Sequence, residues 1–485
     1  MSRSTAAQKE GPEDASLPLR ARWSMLTALS LVTFLLLADD TALSVALPSI
    51  QQEFGVGLDA LQWIVNAYTL SIAAFTLLGG RLADRHGAGR IFLLGLAVFV
   101  AGSLIGGLVR DAPSLIGARA LQGLGAALVA PAALALIATA FPARQRGVAL
   151  GVWAGVSASA LGIGPLFGAV VNDSFGWPWI FLLNVPLGAL AWLVTRLVLP
   201  QSQPAPVRKR IDPVGVLLSA IALVGLVLAV NQSSNGEWFS PPVVILTAIT
   251  IASSVLFVVH ERRTRQPLVD LALFRSRVFT GAILVTLLST AVMCSLFYFL
   301  ALYLQTVLGL SSLEAALSLL PLTITIVLVA PIAGLLADRF TGRTIVTAGM
   351  LLLAAGLIGL GTLGLGADAG ALAFWLALAG VGIGIARTPT TAAALGSGVG
   401  SEYGMAAGVL NSVQATGLAL GIAVMSVIIG SSFGPNAAFD RDFDAAHHAA
   451  FLEGLSIALT LNAGIAVVAA ALAAVLMRPG PQRGT

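Results

Sequence analysis

The chain has 485 residues, of which 57% are hydrophobic and only 10% charged, and its mean hydropathy is +0.94. So little charge cannot clothe a water-facing surface of this size, which excludes ordinary soluble domains and points to a protein solvated by lipid. A net charge of +4 and a pI near 9.7 would suit a nucleic-acid partner, but the basic residues turn out to be placed by membrane topology.

The first 22 residues are polar and read as a tail; the apolar run behind them is long enough to span and does not read as a cleavable signal. About 20 apolar residues cross a hydrocarbon core as a helix. Runs of that kind lie near 25–47, 59–79, 91–109, 114–140, 148–171, 178–199, 213–230 and 242–259. Six more lie near 279–304, 314–337, 344–366, 370–395, 405–431 and 450–477, giving fourteen. With the N-terminus inside, 22 of the 26 Lys and Arg residues fall on the cytoplasmic side. Arg110 and Arg441 fall outside, and Arg119 and Arg387 fall within spans. That asymmetry requires an even number of spans with both ends cytoplasmic, and it leaves no nucleic-acid footprint. The sole cysteine, Cys294, lies in an apolar run with no metal-ligand company.

An internal repeat divides the chain. Gly80-Arg-Leu-Ala-Asp84-Arg85 recurs as Gly334-Leu-Leu-Ala-Asp338-Arg339, offset by 254 residues, each copy after the second span of a six-span group. The expected fold is an all-α membrane protein of two six-helix bundles, 23–199 and 277–478. Residues 200–276 form an inserted helix pair with basic loops, and residues 1–22 and 479–485 form the tails. Parallel halves of this kind place a shared cavity at mid-membrane.

The loop from Gly80 through Arg85, with Gly87 and Arg90, resembles the signature between helices 2 and 3 of the major facilitator superfamily. Fourteen spans, with Leu37-Ala38-Asp39-Asp40-Thr41 and Val45-Ala46-Leu47-Pro48 in the first, are similar to its fourteen-helix drug:proton antiporter branch. Two departures stand in the loop, where Ala88 and Gly89 replace expected basic residues. Arg119, in Gly117-Ala-Arg119-Ala-Leu-Gln122-Gly123, resembles the family's buried arginine. Gly151, Gly164, Pro165 and Gly168 match its antiporter motif, with Ala160 and Ala169 replacing two glycines. In the first span Ser44 replaces an asparagine.

The resemblance implies a monomeric multidrug exporter of the bacterial inner membrane, without cofactor, driven by protons. The chain also lacks a nucleotide-binding pattern. Asp39 then carries the proton with Arg119 as its partner; Asp40, at a position the motif leaves variable, is a further proton-coupling candidate, and its place beside the motif acid suggests a second role in attracting a cationic drug. Asp84 caps a neighbouring helix or pairs with an arginine to gate the cytoplasmic side. The glycines of the fifth span pack against the opposite half.

Depth and spacing add to this. Counted along the helices at 1.5 Å per residue, Asp39 lies roughly 12 Å and Arg119 roughly 8 Å below the outer rim, so the two can meet. Asp39 and Asp40 diverge by about 100° and are expected on different faces. Trp63, Asn66, Tyr68, Gln122, Asn184, Gln305, Glu314 and Asn411 are candidate linings of a poly-specific pocket. Arg387, near the inner end of its span, is expected to snorkel to the cytoplasm. Asp440, Asp442 and Asp444 imitate the start of a calcium loop, but Ala445 stands where glycine is needed and Phe451 where glutamate is needed. A dedicated exporter of one metabolite or self-made antibiotic, a symporter, and a receptor of the same fold are the competing readings. An enzyme lacks the clustered His, Cys or acid groups it would need.

Overall fold

The structure is a computed structural model that describes residues 18–199, 211–233, 239–337, 340–363, 368–396, 403–432 and 445–478. The first six helices are α1 Leu19–Phe54, α2 Leu58–His86, α3 Ala88–Leu108, α4 Ala112–Ala140, α5 Ala143–Phe175 and α6 Pro178–Val198. The inserted pair is α7 Pro213–Ser233 and α8 Pro241–Arg263. The second group is α9 Arg277–Leu302, α10 Ser312–Ser318, α11 Leu320–Leu336, α12 Gly342–Gly361, α13 Ala369–Gly396, α14 Tyr403–Ser432 and α15 Ala445–Leu476. No strand occurs among the described residues. In lipid only a helix or a closed barrel satisfies every backbone donor and acceptor internally, so apolar runs of this length have no other choice.

Among the described residues, twelve helices are long and apolar enough to cross a membrane, and the bent α5 makes thirteen. The chain is a multi-pass membrane protein. The tenth expected span, 314–337, is divided at Leu319 into the short α10 and the 17-residue α11, so α11 falls short of the spanning length by itself.

Local chemistry sets where the helices begin and bend. Asp111 accepts the backbone N–H of Ser114 at 2.9 Å, with Pro113 in the first turn, and so starts α4 close to its arginine. The α5 helix bends by 40° between Ala160 and Gly162. Pro165 accounts for the bend, because its ring lacks the donor for the Leu161 carbonyl and crowds it.

Within the first group α4 packs on α2 and α3, and α1 on α5; within the second, α13 packs on α11 and α12, and α9 on α14. The groups meet chiefly where α5 lies on α11 and α2 on α14, and the inserted pair leans on α2 and α14 through α7.

Candidate functional site

Arg119 has no exposed side-chain surface, and its guanidinium is filled from every direction. Nη1 donates to Asp39 Oδ2 at 2.7 Å, and Nη2 donates to Asp40 Oδ1 at 2.7 Å. Nη1 also reaches Gln122 Oε1 at 3.1 Å, Nε reaches the Ile64 carbonyl at 3.4 Å, and the Tyr68 ring lies beneath at 4.2 Å. The expectation that Asp39 and Asp40 serve different faces is therefore corrected. Their side chains do diverge, but the two outer nitrogens of one guanidinium fork are spread widely enough to take one carboxylate each.

The two acids differ in setting. Asp39 is fully buried, while Asp40 keeps 37% of its side chain exposed. Asp39 also accepts from Gln122 Nε2 at 3.3 Å and from Asn184 Nδ2. Behind them Ser103 on α3, wholly buried, accepts from Gln122 Nε2 at 2.7 Å and from Asn184 Nδ2 at 3.4 Å. Ser103 fixes both amides with their nitrogens toward the carboxylate. Nothing in the sequence marks it, since it is one hydroxyl in an apolar helix.

Of the lining candidates, Tyr68, Gln122 and Asn184 belong to this cluster, and Tyr68 donates to the Leu36 carbonyl at 3.3 Å. The rest are elsewhere. Glu314 is exposed and closes a capping box, taking the backbone N–H of Ser311 at 2.9 Å, so its carboxylate starts α10. Asn411 bonds back to its own helix at the Ala407 carbonyl, 3.0 Å away. Gln305 is exposed on the π-turn Tyr303–Val307, and Trp63 is 48% exposed. Asn66 accepts from Asn231 of the inserted pair at 2.9 Å.

The repeat loop holds the two groups together at one end of the bundle. Asp84 accepts the backbone N–H groups of Gly404 and Met405, both at 2.7 Å, and thereby caps α14 of the other group. Gly87, at φ 93°, makes the turn into α3. Gly80 abuts Gly404 so closely that a Cβ on Gly404 would lie 2.7 Å from Asp84 Oδ1. The second copy repeats the contact, Gly334 lying against Gly147 of α5. Arg81, buried, donates to the Pro267 carbonyl in the segment after α8. Arg85 is half-buried in the last turn of α2 and Arg90 is exposed in the first turn of α3. Asp338 and Arg339 lie outside the described residues.

The fifth helix faces two ways. Gly151 lies against Ala330 and Pro331 of α11 in the opposite group, as expected. Gly164 and Gly168 instead lie against Thr41 and Ala42 of α1 in their own group, because the Pro165 bend turns the outer leg toward α1. Thr41 also donates to the Ala160 carbonyl at 3.2 Å, next to the bend. One helix thus touches both the turn bearing the acids and the contact between halves.

Arg387 does not snorkel. It stands nine residues before the end of α13, about 13 Å at 1.5 Å per residue. Its Nη1 reaches Met293 Sδ at 3.5 Å, sixteen residues into α9, so the side chain is aimed away from that end and toward mid-span. Of the imitation calcium loop, Asp440, Asp442 and Asp444 lie outside the described residues, Phe451 is buried in α15, and no metal-ligand cluster occurs among the described residues.

A family model described as Major Facilitator Superfamily matches residues 29–422. A tetracenomycin C resistance and export protein of Streptomyces glaucescens is 30% identical over 94% of this chain and 92% of its own length. A puromycin resistance protein of Streptomyces alboniger is 36% identical over 94% of this chain and 91% of its own. The solved structure of a proton:xylose symporter shares the fold, with a TM-score of 0.64 at 15% identity, covering 93% of this chain and 95% of that one.

Proposed function

Because this chain belongs to the major facilitator superfamily, a family of membrane transporters rather than enzymes, we propose that it exports hydrophobic or amphipathic drugs in exchange for protons. It does so across the bacterial inner membrane, as a monomer. In this reading α10 and α11 cross together, giving fourteen spans with both termini cytoplasmic, and the repeat-loop end is the cytoplasmic end.

The observation that carries the coupling is the buried cluster in which one arginine holds two adjacent carboxylates. A charge-dense group sealed from lipid is costly, and membrane proteins place such groups where charge must move. Asp40, half-open, is the entry for a proton, and Asp39, caged by Gln122 and Asn184, is where its arrival is felt. Protonation takes one carboxylate from the guanidinium fork. The α1 turn then shifts against Gly164 and Gly168, and α5 carries the shift to its contact with α11. Asp84 and the two glycine contacts hold the cytoplasmic end shut until that happens. These are the parts of a two-state element biased from two sites.

A second reading has its own support. The two relatives above are each named for resistance to one antibiotic, which supports a dedicated exporter, including one for a self-made compound.

The test uses proteoliposomes with an imposed pH gradient and a pH dye inside. Asp39→Asn should still exchange substrate down its gradient, while uphill efflux and substrate-induced proton movement both vanish. Uphill transport that survives the substitution sinks Asp39 as the proton carrier.

A further inference from the structure

Among the described residues, Arg387 is the one cation aimed into the middle of the second helix group, and the proposed proton chemistry does not use it. Its direction is fixed by its neighbours on α13. On one side Gly384 packs on Val329 of α11, and Thr388 donates to the Ala330 carbonyl of the same helix at 3.2 Å. On the other side Ala386 packs on Gly349 of α12. The side chain between them points past both helices toward α9, where it meets Met293. The same helix also touches α5 of the first group.

Its chemistry is unfinished. Among the described residues no carboxylate lies within 4 Å of the guanidinium, and its hydrogen-bond partner is a thioether, a weak acceptor. Arg119 shows how this chain satisfies an intramembrane arginine from its own groups, with two acids, an amide, a backbone carbonyl and a ring. Arg387 is half-buried and is given none of these. An arginine inside a membrane without an acid is tolerated only where water or a ligand reaches it.

We propose that Arg387 is a substrate-binding group that takes an anionic oxygen of the transported molecule, a carboxylate, enolate or phenolate, while the apolar body of that molecule lies along Met293 and its neighbours on α9. The guanidinium supplies a fork of donors matched to such oxygens, and the thioether supplies a soft, adaptable wall. This inference rests on the export reading and names the chemistry of what is exported.

The experiment measures binding of three probes to the purified full-length protein at neutral pH. They share a pyrene body and differ in charge: 1-pyrenebutyrate, its neutral methyl ester, and a pyrenebutyl trimethylammonium. Wild type should bind the carboxylate more tightly than the ester by on the order of tenfold, the ratio one charge-assisted hydrogen bond sustains. Arg387→Gln should erase that ratio and leave the ester within about threefold of wild type, and Arg387→Lys should keep part of it. A wild type that does not prefer the carboxylate, or a glutamine variant that keeps the preference, overturns the proposal. If the glutamine variant loses the ester as well, the lysine variant decides, and ester binding without the carboxylate preference counts against it. Uphill efflux of the ester under a pH gradient is measured separately; its failure sinks proton-coupled export and leaves the charge preference as its own result.

Discussion

In the first helix group Gly164 and Gly168 of α5 rest on Thr41 and Ala42 of α1; in the second, Gly417 and Gly421 of α14 rest on Thr290 and Ala291 of α9. These contacts align α1 with α9 at a constant offset of 249 residues, which sets Leu288 and Ser289 where the first group has Asp39 and Asp40. Likewise Gly125 of α4 packs on Gly95 of α3, and Gly382 of α13 on Gly349 of α12. That alignment, at an offset of 257, sets Leu376 where Arg119 stands and gives Arg387 the place of Ala130. The backbone packing is thus duplicated while the charges are not. Close helix approach needs only small residues at repeated places, so duplication preserves it. A buried charge needs its whole cage, so specialising one half leaves the other free to become apolar or to hold a different charge.

The largest effect should come from breaking the charged cage. Arg119→Met leaves Asp39 buried without its cation, at a cost of about 3–5 kcal/mol, and should abolish uphill transport. Adding Asp39→Asn to Arg119→Met should restore most of the lost thermal stability without restoring transport. Leu376→Met, at the matching place in the second group, conserves volume and should cost under about 1.5 kcal/mol. Thermal unfolding in detergent beside the proteoliposome assay checks all three. Equal losses at Arg119 and Leu376 would break the comparison.

The next effect concerns what the halves share. Gly80 against Gly404 and Gly334 against Gly147 are counterpart contacts of the two loop copies. A valine at either place drives methyl groups into backbone that cannot yield, so Gly80→Val and Gly334→Val should each hold the repeat-loop end apart. Spin labels placed across that end in a Cys294→Ser background should read longer distances in both variants, and efflux should fall about tenfold or more. A closed end in one variant and an open end in the other would show that only one contact is a gate.

Much of this was legible in the sequence because lipid simplifies the problem. Hydropathy finds the helices, positive charge orients them, and the costly residues Asp39, Arg119 and Asp84 announce themselves. Family membership followed from the same residues. What stayed hidden depends on geometry between helices. Asp40 joins Asp39 on one guanidinium because of the width of the fork, which helical spacing does not express. Ser103 acts through two amides on other helices. The aim of Arg387 follows from neighbours on α11 and α12, so counting residues to the end of its span suggested snorkelling. Glu314 stood among the candidate pocket linings at the start of a span drawn as 314–337, whereas the break at Leu319 leaves it in the cap of a short helix. At Gly164 and Gly168 the motif was clear, but its partner was decided by a 40° bend.

The smallest effect is the sharpest test of the comparison, because it is a near absence at a position whose counterpart is charged. Ser289 occupies the place of Asp40, and its hydroxyl merely bonds back to the Thr286 carbonyl of its own helix at 3.2 Å. Such a local bond adds little to a helix already satisfied, so Ser289→Ala should change stability by no more than about 0.5 kcal/mol and leave efflux within about twofold. Asp40→Ala should behave differently. It frees Nη2 of a wholly buried arginine and removes the open member of the acid pair, so efflux should fall about tenfold or more while neutral and cationic substrates are affected alike. That uniform loss also separates the present reading from one in which Asp40 attracts cationic drugs, where neutral substrates would be spared. Efflux of a neutral and a cationic dye from the same cells, at matched protein levels, measures both points. Should Ser289→Ala impair transport as Asp40→Ala does, the second half would share in the coupling, and the division of charge between the halves would have to be given up.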